Sequence, residues 1–245
     1  MKTYKEFLEK NKTAQNITLR LRIFGKIYTK MRNESNKSLR VLDIGCGQNA
    51  VLFQYMNKAD YYTGCDYYSQ IDVKVSRYVK IDLNIDNVGE VFKTEKFDVI
   101  FCGEVIEHLF SPDALIQEIK TLMHENSVLI LSTPNLGYLI NRLLLLFGVS
   151  PLFLENSAEV KLGRKLKCFG QGNKTEGHIR VFTYCALKDL FKKENLKIIK
   201  IYSARSAFGL FIDRIICILS HSLAPNNVFV LMLSRNDAGT TVASK

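Results

Sequence analysis

The run Val41-Leu42-Asp43-Ile44-Gly45-Cys46-Gly47 constrains this chain more than any other stretch. A short buried strand carrying one acid breaks over two alternating glycines, and a helical spacing of apolar residues (Val51, Leu52, Tyr55) follows. Glycine reaches left-handed backbone angles without penalty and brings no side chain. Main-chain N–H groups at such a turn therefore lie open to a ligand. The Asp43 carboxylate inside the turn disfavours a phosphate and favours a ligand carrying an ammonium group. No Lys-Ser/Thr follows, which excludes a Walker-type phosphate loop. An ordinary tight strand–helix turn uses the same letters, so the rest of the chain has to decide.

Beyond the turn, a helix is expected over about 50–57, and Tyr61–Asp66 reads as a second strand ending in an acid. Asp66 stands about 20 residues past the turn, the remove at which an acid meets ribose hydroxyls in nucleotide-binding βαβ units. Val75–Ile81 reads as a third strand, with Asp82 just beyond it, either a plain loop acid or one placed to accept from an adenine amino group. Phe97–Cys102 is apolar apart from Asp98, as a strand buried on both faces should be. Gly103-Glu104-Val105-Ile106-Glu107-His108-Leu109 follows, and then Ser111-Pro112-Asp113, which starts a helix running to about Met123 with Leu115, Ile119 and Leu122 inward. Val128–Ser132 is strand five. A helix capped by Thr183 spans Tyr184–Lys193, strand six spans Leu196–Tyr202, a helix spans Phe208–Leu223, and strand seven spans Val228–Leu233. Strands alternating with helices predict a parallel sheet whose ligand lies at the carboxyl ends of the strands. Asp43, Asp66, Asp82 and Glu104 all fall at such ends.

Three segments flank or interrupt this pattern. Residues 1–38 are basic and amphipathic, read as one or two helices that pack on the core, close over its site, or meet an anionic surface. Leu136–Leu154 is apolar but broken by Arg142 and Gly148, suited to simple packing, to walling an apolar pocket or to lying on a membrane. Residues 155–177 are polar and glycine-punctuated, the pattern of a lid or binding loop. Residues 236–245 read as a disordered tail. The insertion 136–177 thus sits within one domain spanning 39–235.

The net charge of +10 favours an anionic partner or surface. Six scattered cysteines, without a Cys-x-x-Cys pair, fit a reducing compartment, and the absence of a signal-peptide pattern makes the cytoplasm the expected location. No run reaches the roughly 18 to 20 apolar residues of a membrane span.

Taken in order, Val41–Gly47, Asp66, Asp82-Leu83, Phe97–Ile100 with Gly103–Leu109, Ser132-Thr133-Pro134-Asn135 and Gly177-His178-Ile179-Arg180-Val181-Phe182-Thr183 resemble class I S-adenosylmethionine-dependent methyltransferases. The likeness is to the group that includes ubiquinone-pathway O-methyltransferases and methyltransferases of sugars and small molecules. The resemblance implies a Rossmann-like, doubly wound, seven-stranded α/β sheet, mostly parallel with the last strand antiparallel. It implies S-adenosylmethionine as cofactor and S-adenosylhomocysteine as product. Gly45 and Gly47 would let the methionine part lie on the backbone, Asp43 would attract its ammonium, Asp66 would hold the ribose, and Asp82 with Leu83 would bracket the adenine. Glu104 completes the cofactor-binding set. The third glycine of the usual pattern is Asn49, a residue that tolerates positive φ, so the turn should persist. The usual turn before strand five is replaced by His124-Glu125-Asn126-Ser127.

Methyl transfer to a hydroxyl needs a base, and histidine is the commonest. His108 and His178 fall in segments expected at the pocket mouth; His124 and His221 do not. Glu104, Glu107 and His108 share a helical spacing, and with His178 they form an alternative donor set for a divalent cation. Some small-RNA 2′-O-methyltransferases of the superfamily carry a similar Glu-x-x-Glu-His with a downstream histidine and bind a metal, whereas many small-molecule members share the letters with no established metal. The metal-free reading is the expectation. The expected acceptor is a small molecule or a glycan-type compound, lipid-linked if Leu136–Leu154 touches a membrane. The alternatives are RNA methylation and cofactor binding without catalysis.

Overall fold

The computed structural model describes residues 15–163, 175–204 and 211–234. The elements are α1 (Gln15–Glu34), β1 (Arg40–Ile44), β2 (Tyr61–Asp66), β3 (Arg77–Lys80), α2 (Val88–Phe92), β4 (Phe97–Gly103), α3 (Pro112–Thr121), β5 (Met123–Pro134), α4 (Leu139–Leu146), α5 (Tyr184–Lys193), β6 (Leu196–Ala204), α6 (Phe211–Leu219) and β7 (Asn226–Leu233). Short 3-10 turns lie at Val51–Tyr55, Ile106–His108 and His221–Leu223. The seven strands form one sheet in the order β3-β2-β1-β4-β5-β7-β6. β1 to β5 pair in parallel, and β7 runs antiparallel to both β5 and β6. This is the sheet the sequence predicts.

Each face of the sheet buries its own apolar layer. On one, α1 lays Leu21, Ile23, Phe24 and Tyr28 against Val41, Tyr62, Val99, Phe101 and Ile130. Its basic residues Arg22, Lys26 and Lys30 stay exposed, so the helix covers the core through one apolar stripe. On the other face, Leu115, Ile116 and Ile119 of α3 and Leu187 and Phe191 of α5 pack on Leu42, Ile44, Ile100, Leu129 and Phe229. The Tyr28 hydroxyl donates to the buried Asp60, whose other oxygen accepts from Leu39 N at 2.8 Å and fixes the entry to β1.

Four expectations change in detail. The helix expected over 50–57 is a 3-10 turn, Val51–Tyr55, entered from Ala50 in the left-handed region and left through extended Met56. Ala50 offers no capping side chain, and β-branched and aromatic residues fill the segment, so an α-helix has neither a cap nor propensity to start it. Positive φ falls at Ala50 and not at Asn49. His124–Ser127 is part of β5 and not a turn: the register shifts between Phe97 and Val99, and Ser127 Oγ donates to Phe97 O at 2.6 Å to close the irregularity. Helix α2 was not expected, although Asn87 with Glu90 three residues on carries its N-cap signature, and Asn87 Oδ1 accepts from Glu90 N.

Ser111 stands before α3, with Pro112 at its first position, but the Ser111 hydroxyl makes no capping bond. Thr183 does cap α5, accepting from Ala186 N. Of Leu136–Leu154 only Leu139–Leu146 is helical, and Gly148 at φ 65 turns the chain away. Among the described residues, no helix is long and apolar enough to cross a membrane. Residues 1–14, the 164–174 part of the loop, the expected start of the helix at Phe208, and the 236–245 tail lie outside the described residues.

Candidate active site

Parallel strands put their carboxyl ends on one edge, and the acids gather there. Asp43 is the penultimate residue of β1, Asp66 ends β2, and Glu104 directly follows β4. Asp82 lies two residues past β3 in an exposed turn, its Oδ1 accepting from Asn84 N at 3.0 Å, with Leu83 half-buried against the core beside it.

The glycine turn is tightly built. Gly45 at φ 71 leaves no room for a side chain, since a Cβ there would lie 2.4 Å from Val105 Cγ2. Gly47 at φ 67 faces open space, with no heavy atom within 4 Å of an added Cβ. The turn's N–H groups are not free, contrary to the expectation from sequence. Gly45 N and Cys46 N both donate to Cys65 O, at 2.9 and 3.2 Å. Gly47 N donates to Asp66 Oδ2 at 2.8 Å, and Tyr67 N donates to Asp66 Oδ1 at 2.7 Å. The cradle therefore offers bare space and the remaining lone pairs of a fixed carboxylate.

Asp43 is 2 % exposed and accepts from the Tyr62 hydroxyl at 2.6 Å. Burial, partly offset by that hydrogen bond and reinforced by the charge of Asp66, pushes its carboxyl up to about 7. Near neutral pH it is therefore only partly ionised in the free protein. Glu104 adopts φ 56, unusual for a side-chain-bearing residue, and is held there from both ends. Its N–H donates to Ser132 O at 2.9 Å, and its Oε1 accepts from Ser132 Oγ at 2.9 Å.

The two histidines meet. The rings of His108, in the 3-10 turn after β4, and His178 lie 5.0 Å apart between centroids. His108 Nδ1 is 3.0 Å from Gly177 O, and His178 Nδ1 is 3.0 Å from Phe153 O. A carbonyl only accepts, so each Nδ1 carries the proton and each Nε2 keeps its lone pair, that of His178 lying 3.7 Å from Glu176 Oε2. Glu107 is buried beside them, its Oε2 accepting from Thr133 Oγ1 at 3.0 Å. Donor atoms of Glu107, His108 and His178 all lie within 4.8 Å of one another, so these three residues present a donor set suited to a divalent cation. Glu104 is not among them, because the 3-10 turn and the Ser132 contact take it elsewhere. His124 pairs with Asp98, and His221 with Ser203, both away from this cluster.

Several participants carry no readable sequence signal. Asn84 ties the Asp82 turn to the histidine segment, its Oδ1 accepting from Phe110 N at 2.8 Å and its Nδ2 donating to His108 O at 3.4 Å. Glu155 binds the backbone of the 176–178 segment. Both act across long sequence separations, which local spacing does not record.

Residues 8–201 match the protein family described as a methyltransferase domain. Among curated proteins, the ubiquinone biosynthesis O-methyltransferase of Glaesserella parasuis is 34 % identical over 107 residues, 39 % of this chain and 45 % of that protein. The one from Actinobacillus pleuropneumoniae is 35 % identical over 108 residues, 39 % of this chain and 46 % of that protein. The match thus spans about half the length of these curated relatives. Among solved structures, an S-adenosylmethionine-dependent methyltransferase from Clostridium acetobutylicum is similar with a TM-score of 0.57 at 12 % identity, covering 94 % of this chain and 99 % of that one. The Burkholderia thailandensis 1,6-didemethyltoxoflavin-N1-methyltransferase, solved with S-adenosylhomocysteine, gives 0.51 at 12 % identity over 94 % of this chain and 86 % of that one. At such identities the likeness is one of fold.

Proposed function

Because the chain belongs to the methyltransferase-domain family, in its class I S-adenosylmethionine-dependent group, we propose that it transfers the methyl group of S-adenosylmethionine to a hydroxyl oxygen of a small acceptor. The residues suit that cofactor: the space over Gly47 is open, and acids of the expected spacing stand at one sheet edge. Gly45 and Gly47 give the methionine part bare backbone to lie on. Asp43 attracts the ammonium from beneath, directly or through water. Asp66 accepts the ribose hydroxyls, Asp82 and Leu83 bracket the adenine, and Glu104 closes the rim.

The sulfonium supplies an electrophilic methyl, and in-line displacement asks the protein mainly for proximity and alignment. With that cofactor bound, an imidazole Nε2 of His108 or His178 would take the hydroxyl proton as the acceptor oxygen is methylated. The observation that carries this reading is the pairing of the two rings with both Nδ1 atoms committed to carbonyls.

Two apolar patches support a lipid-linked acceptor met at a membrane surface. Leu143, Leu145 and Leu146 of α4 are exposed with Phe147 just beyond it, and α6 exposes Ile215, Ile218 and Leu219, with Phe147 82 % and Ile218 85 % exposed. The two helices join through Tyr138, Leu144 and Ile216 and through the Tyr138–Asp213 hydrogen bond. α4 follows directly from the β5 end that carries Thr133. Free cysteines support a cytoplasmic setting. The test is incorporation of radiolabelled methyl into lipid, glycan and RNA fractions of the host: label in lipid or glycan supports the reading, and label in RNA alone overturns it.

A second reading is favoured by the convergence of Glu107, His108 and His178. A divalent cation held there would polarise the acceptor oxygen and so ease loss of its proton. Chelation separates the readings: unchanged turnover supports the imidazole alone, and a loss restored by added divalent cation supports the metal.

A further inference from the structure

Glu155 lies outside every helix and strand, yet its side chain is only 3 % exposed and its carboxylate organises the histidine pair. Oε1 accepts from Glu176 N at 2.7 Å, and Oε2 accepts from Gly177 N at 2.8 Å and His178 N at 3.0 Å. Three consecutive N–H groups converge on one carboxylate because Gly177 turns through φ 87, an angle that suits glycine. Lys161, 4 % exposed, stands 3.3 Å from Glu155 Oε1 and donates to Glu176 Oε1 at 2.7 Å. Burial pushes the Glu155 carboxyl up, but the three backbone N–H groups and Lys161 outweigh it and hold the carboxyl below the usual range. It is charged at neutral pH, and a buried charge is tolerated when paired and hydrogen-bonded in this way.

The bracketed segment contains both supports of the pair. The Gly177 carbonyl orients His108, and His178 is itself one of the bracketed residues. The Phe153 carbonyl that orients the His178 ring lies two residues before Glu155. We propose that Glu155, neutralised by Lys161, is the positioning residue that fixes the orientation of both imidazoles, His108 through the Gly177 carbonyl and His178 through its own backbone and Phe153. The proposal rests on the reading that these histidines serve the reaction. Its geometry is independent of which of them takes the proton.

The test compares Glu155→Ala and Glu155→Gln in the full chain. Gln keeps one acceptor oxygen and the shape, so it covers the case in which Ala does not fold. Proton NMR resolves the ring signals of all 4 histidines. In the variants the nuclear Overhauser contact between the His108 and His178 rings, whose centroids lie 5.0 Å apart, should weaken, while the ring signals of His124 and His221 stay. Calorimetric affinity for S-adenosylhomocysteine should be unchanged, and kcat should fall by about tenfold to a hundredfold, the cost of about 1 Å of misplacement. Glu155→Gln should fall between wild type and Ala. A wild-type contact between the two rings in both variants would overturn the proposal. A weakened ring contact together with full activity in His108→Ala and His178→Ala would leave the positioning intact and refute the catalytic reading instead.

Discussion

Replacing Asp43 by Asn separates what that carboxylate costs the fold from what it does for the ligand. The carboxyl sits at about 7 in the folded chain, raised chiefly by burial, and near about 4 in an unfolded one. Because the folded-state value is the higher, the folded protein holds the extra proton between those two values. Stability from this group is full below about pH 4 and is lost as pH rises through 7, at about 1.4 kcal/mol per pH unit. Asn keeps the acceptor that meets the Tyr62 hydroxyl and cannot ionise. Between pH 5 and pH 8 the variant should therefore gain on wild type by about 2.7 kcal/mol, the two units up to pH 7. For a chain of this size that is about 5 to 10 °C in melting temperature. Taking the difference between the two proteins at each pH cancels every other titrating group.

Binding should run the other way. The wild-type carboxylate is about one-tenth ionised at pH 6 and nine-tenths at pH 8, so the ratio of variant to wild-type Kd for S-adenosylmethionine should grow close to tenfold over that interval. The ligand's own amine titrates equally against both proteins and drops out of the ratio. Calorimetric melts and isothermal titrations across pH 5 to 8 measure both effects. A melting difference that does not change with pH would show that the carboxyl is not neutral in the free protein. A flat Kd ratio would show that Asp43 does not meet the cation.

Asp66→Ala should weaken cofactor binding by more than a hundredfold in calorimetry, since two charge-assisted hydrogen bonds at about 1.5 to 3 kcal/mol each disappear; unchanged affinity removes Asp66 from the ribose. His178→Ala should lower kcat by about 100-fold to 10,000-fold while sparing cofactor affinity, as expected for a lost general base; wild-type turnover removes it from the chemistry. Gly45→Ala should cost about 1 to 3 kcal/mol in denaturant unfolding, because its Cβ would lie 2.4 Å from Val105 Cγ2 and its φ is 71. Adding Val105→Ala should restore only the steric share; full restoration would show that the backbone angle carries no strain.

The sheet is legible because most strands, β3 apart, read as apolar residues bounded by turns, and because parallel pairing forces the strand ends onto one edge. Asp43, Asp66 and Glu104 are thereby brought together by spacing alone. The segment after Gly47 was misread as an α-helix because apolar spacing alone does not distinguish a single 3-10 turn from a longer helix. The residues His124–Ser127 look like a turn, yet the Ser127 hydroxyl lets β5 continue through its irregularity. His108 and His178 could be nominated separately, but their 5.0 Å approach depends on Glu155 and Lys161. That clasp joins residues 155, 161 and 176–178 through space, and no periodicity in the chain encodes it.

The strand β7 also has a bearing on how the molecule is made. It slots between β5 and β6, so during synthesis both neighbours wait with unsatisfied edges until Asn226–Leu233 emerges. The hydrophobic length of β5 is, in that interval, an adhesive surface for other nascent chains. Late arrival of this next-to-edge ribbon makes successful maturation depend on the speed of its insertion as much as on the equilibrium of the finished fold.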